Sequence, residues 1–408
     1  MRSDTAGDKR HHALDGIRGA ALLCIFVHHS VTHPISGDAT RSTGEGAWGG
    51  LVTGLRLSLI SFFVLSGFLL WAGFARAIRD KGDLRLGQYF KRRAARVLPA
   101  YYLAIAGSIA LLWGAQMPNL NMPTAGELPL FAVLAQNYSS STLQSLNGPT
   151  WTLSIEVAFY AVLPLMAYLL WRFRASPRAQ LAVLGGFVAL GMAWRAPGLG
   201  GDGPVWAKML PAYLPYFAIG MALALWNQHR DRSRPPLSGR LTLGLVAIAA
   251  ALVVADGLWH VLDPGPLSGL LGVVGDIPAA VGFAVLLGAT LIGTGRSVSW
   301  LAWRPFVALG VISYGFYLWH LPLMLFWRRL GIEGGWVETA AITFPVTLAI
   351  AIASWKLVES PILKRAHRTD EPEQPARTEQ PVRRREAEHD AAGRRAVRPR
   401  PVSISESR

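Results

Sequence analysis

Cysteine and charge are both scarce in this chain of 408 residues. Cys24 is the only cysteine, so neither a disulfide within the chain nor a thiolate metal cluster can form, and we predict no metal site. Charged residues make up 16% of the sequence, whereas hydrophobic residues reach 51% and tryptophan occurs 15 times. This composition excludes an ordinary soluble domain and indicates a polytopic membrane protein.

Apolar runs long enough to cross a bilayer recur along the chain, since a helix of about 20 residues spans the hydrocarbon core. We therefore predict an all-α fold, a bundle of ten transmembrane helices within residues 14–364. The predicted spans are 14–32, 49–73, 97–115, 152–171, 179–195, 209–226, 241–259, 276–294, 305–327 and 336–357.

Lysine and arginine are absent from residues 116–150 and abundant in loops such as 79–96 and 227–240. Because such positive loops face the cytoplasm, we predict a plasma-membrane protein with both termini, including segment 1–13, on the cytoplasmic side. The same loops and the tail account for the net charge of +15, so nucleic acid is not a predicted partner. Residues 365–408, rich in charge and proline, predict a disordered cytoplasmic tail.

The first predicted span contains LDGIRGAALLCIFVHH, residues 14–29, with groups that are costly in hydrocarbon. Arg18 and His29 are eleven residues apart, almost three helical turns, so they share one helix face. Asp15 is predicted to pair with Arg18, and His28 points about 100° away from His29. The alternative is that these polar groups only cap helix ends at the membrane interface.

An arginine cluster precedes the third predicted span and contains Arg92, Arg93 and Arg96. Guanidinium groups at helical spacing suit multidentate phosphate binding, although a basic loop also serves as an ordinary topology signal. In the fourth span, Glu156 is predicted to face the interior as a partner for a histidine or a substrate hydroxyl.

Four further polar residues lie in apolar spans. Tyr314 and Tyr317 occur in LGVISYGFYLWHLPL with His320, which is one helical turn after Tyr317. Arg56, inside the second predicted span, has no obvious partner. Interior polar groups of this kind indicate a functional site.

Seven motifs in order resemble acyltransferase family 3 of the membrane-bound O-acyltransferases. They are LDGIRGAALLCIFVHH, SFFVLSGFLL, RRAARVLPAYY, WTLSIEVAFY, LPYFAIGMALA, ISYGFYLWHLPL and VESPI. The resemblance implies about ten helices and transfer of an acyl group, usually from cytoplasmic acyl-CoA, to a hydroxyl of a sugar, cell-envelope glycan or antibiotic. It also implies that Arg18, His29, Arg93 and Arg96 matter for activity. Many members carry a soluble hydrolase-like domain that this sequence lacks, so we expect direct transfer or a separate extracytoplasmic partner.

The resulting hypothesis needs no permanently bound cofactor, because acyl-CoA, in particular acetyl-CoA, is the donor substrate. The phosphates of CoA bind at the arginine cluster, and His29 is the general base for the acceptor hydroxyl. Glu156 orients His29 or holds the acceptor, and Tyr314 is an oxyanion donor. The alternative function is a transporter or flippase for a glycan or lipid-linked saccharide. A purely structural membrane protein does not account for the buried charges.

Overall fold

The computed structural model describes residues 6–34, 51–52, 54–79, 85–113, 122–173, 176–196, 203–259 and 267–368. Its ten long helices are α1 (Ala6–Thr32), α2 (Ser58–Arg79), α3 (Leu86–Leu112), α4 (Trp151–Trp171), α5 (Pro177–Arg195), α6 (Leu210–His229), α7 (Gly239–Trp259), α8 (Ile277–Ile292), α9 (Ser313–Arg329) and α10 (Trp336–Ser354). The shorter helices are Leu128–Ala132, Pro204–Ala207, Ser268–Val274, Arg296–Ser299, Arg304–Val311 and Ser360–Arg368. Within the described ranges the only β-pairing is one bridge between Leu237 and Gly293, so the predicted all-α fold is confirmed.

Seven of the described helices are long and apolar enough to cross a membrane. Two bent pairs raise this number to nine: Ser268–Val274 with α8, bent by 41°, and Arg304–Val311 with α9, bent by 76°. Helix α5 does not meet the criterion and begins with two polar side chains, Arg178 and Gln180, in its first turn. A multi-pass membrane protein is therefore supported, while the count of ten spans and the side of each terminus stay predictions.

Several predicted boundaries differ from the structure. The third span was predicted to start at residue 97, but α3 begins at Leu86 and contains Pro99 in its interior. Lysine, arginine, alanine and glutamine are good helix formers, so the basic cluster continues the helix instead of forming a loop. Arg56 lies in a turn that precedes α2. Of the predicted end segments, residues 1–5 and 369–408 lie outside the described residues.

Helix α1 lies inside the bundle. Its apolar side chains Leu14, Ile17, Leu22 and Phe26 are all less than 9% exposed. Because little of α1 faces lipid, its polar side chains are positioned among other helices.

Helices α2 and α6 approach each other closely at two glycines. A β-carbon built on Gly67 would lie 2.2 Å from the carbonyl oxygen of Phe217, and one on Gly220 would lie 2.1 Å from that of Val64. Small residues allow such approach between membrane helices. Ser66 is next to Gly67 in the chain, so this close contact between the helices also fixes the position of Ser66.

We expect the substitution Gly67→Leu to destabilise the protein by about 1–3 kcal/mol or to prevent folding, because the new side chain meets backbone that cannot move aside. Gly73→Leu is the matched control, since Gly73 is on the same helix with no atom within 4 Å of its built β-carbon. The midpoint of thermal unfolding in detergent measures the difference. Equal midpoints for the two variants would contradict the close crossing.

Candidate active site

The first helix contributes Arg18 and His29 to internal cavities. Eleven residues separate them, about 16 Å along the helix axis. Asp15 Oδ1 lies 3.4 Å from Arg18 Nη1, so the predicted pairing of these two residues is confirmed. Nδ1 of His28 lies 2.9 Å from the carbonyl oxygen of Val52. The adjacent histidines therefore have different partners, as their spacing predicts.

A cavity of about 450 Å³, here called the arginine cavity, lies at the Arg18 end of α1. Its lining residues are Asp15, Arg18, Leu69, Leu70, Arg92, Arg93, Arg96, Gly310, Val311, Trp355 and Leu363. Four of these are arginines and one is a carboxylate. The three predicted phosphate-binding arginines therefore share one cationic cavity with Arg18, a composition suited to an anion.

Arg96 is held by the C-terminal part of the chain. Its Nη1 lies 3.9 Å from Oε2 of Glu359, and its guanidinium carbon lies 5.6 Å from the ring centre of Trp355. Glu359 ends the π-helical turn Trp355–Glu359, a type of turn that is frequent at functional sites. Arg93 has a buried Nε with no hydrogen-bond partner among the described residues.

The next cavity, here called the central cavity, has a volume of about 140 Å³. It shares Arg18, Arg93 and Arg96 with the arginine cavity. Glu156 lines it and accepts hydrogen bonds from Ser66 Oγ at 2.8 Å and from the Tyr160 hydroxyl at 2.5 Å. Both donors, one on α2 and one on α4 itself, bond the same carboxylate oxygen, Oε1.

Glu156 makes no contact with His29, which contradicts the hypothesis that this carboxylate orients the histidine. The sequence of α4 predicts that Glu156 faces the interior of the bundle, but it does not determine which residues of α1 lie at the same depth in the membrane. The other predicted role of Glu156, holding the acceptor, stays a prediction.

A third cavity, here called the histidine cavity, has a volume of about 250 Å³. It adjoins the central cavity, because Leu59 and Tyr317 line both cavities. His29 lines the histidine cavity, and its Nδ1 lies 2.7 Å from Nε2 of His320 on α9. The two ring centres are 5.0 Å apart and the ring planes are inclined by 13°, so the rings are nearly parallel. His320 is fully buried. The sequence shows His320 as an unusual polar residue of an apolar span, but its pairing with His29 was not predicted.

Tyr314 lies on the wall of the central cavity, as its interior position implies. Its hydroxyl donates to the carbonyl oxygen of Val97 at 2.8 Å. The hydroxyl hydrogen therefore has a backbone acceptor in this structure, and the role of Tyr314 as an oxyanion donor stays a prediction. One turn further, the Tyr317 hydroxyl lies 3.0 Å from the Pro149 carbonyl oxygen and 3.1 Å from Thr152 Oγ1.

Arg56 has a partner that the sequence did not reveal. Its Nη2 lies 3.1 Å from Oδ1 of Asp276, which immediately precedes α8. Both residues line the histidine cavity and a further cavity of about 420 Å³, here called the tyrosine cavity. The tyrosine cavity is lined by Arg56, Arg195, Ala207, Tyr213, Tyr216, Trp259, Ser268, Leu271, Gly272, Gly275 and Asp276.

These four cavities form a series, because each shares lining residues with the next. The series begins at the arginine cavity, continues through the central cavity and reaches the histidine and tyrosine cavities. A cationic region therefore lies at one end of the series, and the histidine pair lies further along the same helix.

A sequence model of the acyltransferase domain, the Acyl_transf_3 family, matches residues 11–356. The chain belongs to this acyltransferase family. The family resemblance is therefore confirmed, and the match includes every site residue predicted from the sequence, whereas Glu359 lies just beyond its end.

Three named proteins are similar to this member of the family. The O-acetyltransferase OatA of Staphylococcus aureus (strain NCTC 8325 / PS 47) is 24% identical over 374 residues, which cover 86% of this chain and 57% of OatA. The exopolysaccharide production protein ExoZ of Rhizobium meliloti (strain 1021) is 29% identical over 311 residues, 74% of this chain and 88% of ExoZ. YrhL of Bacillus subtilis (strain 168), provisionally named a peptidoglycan O-acetyltransferase, is 25% identical over 391 residues, 88% of this chain and 56% of YrhL.

The chain thus spans little more than half the length of OatA and YrhL. No solved structure matches the chain.

Proposed function

We propose that this protein is a membrane O-acyltransferase that transfers an acyl group, in particular acetyl, from acyl-CoA to a hydroxyl of a glycan. The observation that carries the proposal is the series of cavities from four arginines to a histidine pair, in a member of the acyltransferase family. The names of OatA and YrhL support O-acetyl transfer, and those of ExoZ and YrhL support a glycan acceptor.

The arginine cavity is the proposed site for the phosphates of acyl-CoA. Arg92, Arg93 and Arg96 supply guanidinium donors that match phosphate oxygens bidentately. Glu359 holds Arg96 from the side while leaving the cavity with more cations than carboxylates. We propose that this cavity faces the cytoplasm, where the basic loops are predicted to lie.

The central cavity is the proposed path of the extended pantetheine arm. It begins at Arg18 and ends at Tyr317, which also lines the histidine cavity. Arg18 and His29 are about 16 Å apart along α1, a distance that an extended arm covers. A donor bound at the arginines therefore brings its thioester to the histidine pair.

His29 is the proposed general base, and His320 is the residue that positions it. Nδ1 of His320 is buried and has no hydrogen-bond partner among the described residues. In the proposed arrangement, His320 Nε2 accepts a hydrogen bond from His29 Nδ1–H, which leaves the lone pair of His29 on Nε2.

The reaction follows from this arrangement. His29 Nε2 takes the proton of the acceptor hydroxyl, whose oxygen forms a bond to the thioester carbonyl carbon. The bond between that carbon and sulfur then breaks, and protonated His29 returns the proton to the thiolate of CoA. The products are the O-acyl glycan and free CoA.

We expect the variant His320→Leu to lower kcat about 100-fold without changing KM for acetyl-CoA, because His29 loses the group that orients it. His320→Gln should recover part of kcat, since an amide oxygen can accept from His29 Nδ1–H. A purely structural role for His320 would instead reduce the amount of folded protein in both variants and leave kcat per folded molecule unchanged.

Transport is the alternative function, since a series of cavities through a helix bundle also suits a translocation path. In the described residues, the two bent helix pairs lie within 268–292 and 304–329, both in the C-terminal half. Transporters built on inverted repeats place broken helices at corresponding positions of two halves. This distribution favours the acyltransferase.

One experiment separates the two functions. Protein purified in detergent is incubated with radiolabelled acetyl-CoA and peptidoglycan fragments or exopolysaccharide oligosaccharides. We expect label in the saccharide and release of CoA in equal amounts. The proposal would be overturned in favour of transport if proteoliposomes take up the saccharide and no CoA is released in detergent or in proteoliposomes.

A further inference from the structure

The cavities beyond the histidine pair contain charged residues that the acyl-transfer step does not use. Among the described residues that line the histidine and tyrosine cavities, Arg56, Arg195 and Lys208 are cationic and Asp276 is the one carboxylate. Asp276 pairs with Arg56 at 3.1 Å. Three cations therefore face one anion, which leaves two positive charges without a matching carboxylate.

Lys208 is the clearest of these cations. It lies near the start of a candidate membrane span, Val205–His229, and lines the histidine cavity together with His29. Its Nζ is 3.8 Å from the ring centre of Trp151, and it has no ion pair with a carboxylate of the described residues. An ionisable side chain within a membrane span commonly marks a site that binds a ligand or an ion.

The polypeptide around Lys208 is fixed by a buried amide. Asn137 Nδ2 donates to the carbonyl oxygens of Trp151 and Lys208 at 2.8 and 3.0 Å. Asn137 is 1% exposed. A third segment of the chain therefore joins the backbones of Trp151 and Lys208, which keeps the two residues adjacent, as expected of a preformed binding site.

Arg195 supplies the other unmatched charge. Its guanidinium donates to the carbonyl oxygens of Ala212 and Val274 and to the Tyr216 hydroxyl. All three acceptors are neutral, so they satisfy its hydrogen bonds without neutralising it. The tyrosine cavity therefore has an uncompensated positive charge on its wall, and it adjoins the histidine cavity.

The same wall offers groups that suit a sugar ring. Tyr213 lines both cavities, and its ring centre is 5.5 Å from that of Trp151. Gln144, also on the wall of the histidine cavity, provides an amide that can donate to and accept from hydroxyl groups. Its backbone has φ of 62°, a conformation that a non-glycine residue rarely adopts and that clusters at functional sites.

We propose that the histidine and tyrosine cavities bind the acceptor and that this acceptor is an anionic saccharide, with Lys208 as the group that binds its carboxylate or phosphate. The inference rests on the proposed acyltransferase function for the reaction at His29 and adds the chemical class of the acceptor. A neutral sugar would leave the charge of Lys208 uncompensated, and a cationic one would be repelled.

The test compares three sugars: methyl β-glucuronide, glucose 1-phosphate and the neutral methyl β-glucoside. Binding is measured without donor, as the ligand-dependent shift of the thermal unfolding midpoint, and turnover is measured as CoA release from acetyl-CoA. We expect both anionic sugars, or one of them, to bind at least about tenfold more tightly than the glucoside. A preference between the two identifies whether the recognised anion is a carboxylate or a phosphate.

The variants identify the binding group. Lys208→Gln should weaken binding of the preferred anionic sugar about tenfold or more and leave KM for acetyl-CoA unchanged. Lys208→Arg should retain most of the affinity because it keeps the charge. Arg240→Gln is the control, since Arg240 is an exposed cation that lines neither cavity.

Two results would overturn the inference: equal binding of all three sugars, or unchanged affinity of Lys208→Gln for the anionic ones. Binding that depends on Lys208 but produces no CoA release supports the anionic site and counts against the acyl-transfer proposal. Equal turnover of the neutral and the anionic sugars would support the acyl-transfer proposal and overturn the inference that the acceptor is anionic.

Discussion

Replacing His29 with alanine should lower the rate of acyl transfer by about 10²–10⁴-fold, the usual contribution of a general base. The reason is the position of this imidazole: its Nδ1 is bonded to His320, and it lines the cavity in which the acceptor is proposed to bind. The rate of labelled product formation from radiolabelled acetyl-CoA, per folded molecule, is the measurement. KM for acetyl-CoA should change little, because the proposed phosphate site lies about 16 Å away along α1.

His229→Ala is the matched control for this experiment. His229 is at the end of α6, where its Nδ1 lies 2.9 Å from the Leu225 carbonyl oxygen, and it lines none of the four cavities. It should retain normal activity. His29→Gln should be as inactive as His29→Ala, since an amide can occupy the space but cannot take a proton. Full activity in either His29 variant would contradict the assignment of the base.

Predictions that depend on one helix were the most successful. The eleven-residue spacing of Arg18 and His29 fixes their angular relation whatever the tertiary structure, so their placement on the inner face could be predicted. The contact of Asp15 with Arg18 has the same origin, because it joins residues one turn apart. Composition and apolar run length also determined the helical fold class.

Predictions that needed the relative height of two helices were less successful. His29 bonds to His320, 291 residues later, and Arg56 bonds to Asp276, 220 residues later. Periodicity shows which face of a helix is interior, but the partner on that face depends on how helices are packed. Glu156 was therefore given the wrong neighbour, since its contacts are Ser66 and Tyr160.

The boundary of α3 shows a different limitation. Charge was used as the sign that the third span had not yet begun, yet a helix continues beyond the hydrocarbon wherever its residues favour helix. The consequence for the site is favourable: Arg92, Arg93 and Arg96 are on a helix joined to the bundle, and a helix holds side chains more precisely than a loop does.

The double variant Arg93→Ala, Arg96→Ala should raise KM for acetyl-CoA about 100-fold or more, because each charge-assisted hydrogen bond contributes about 1.5–3 kcal/mol. Initial rates at saturating acceptor give KM for the donor. Arg178→Ala is the control. Arg178 is an exposed arginine in the first turn of α5, and it is predicted to lie on the same side of the membrane as Arg93 and Arg96.

A truncated donor separates phosphate binding from a general effect on the protein. Acetyl-pantetheine has the thioester and the extended arm of acetyl-CoA but lacks its phosphates. If Arg93 and Arg96 bind those phosphates, KM for acetyl-pantetheine is high in the unmodified protein and does not rise further in the double variant. An equal loss with both donors would mean that the two arginines support the fold or the reacting groups, and the donor site would have to lie elsewhere in the series of cavities.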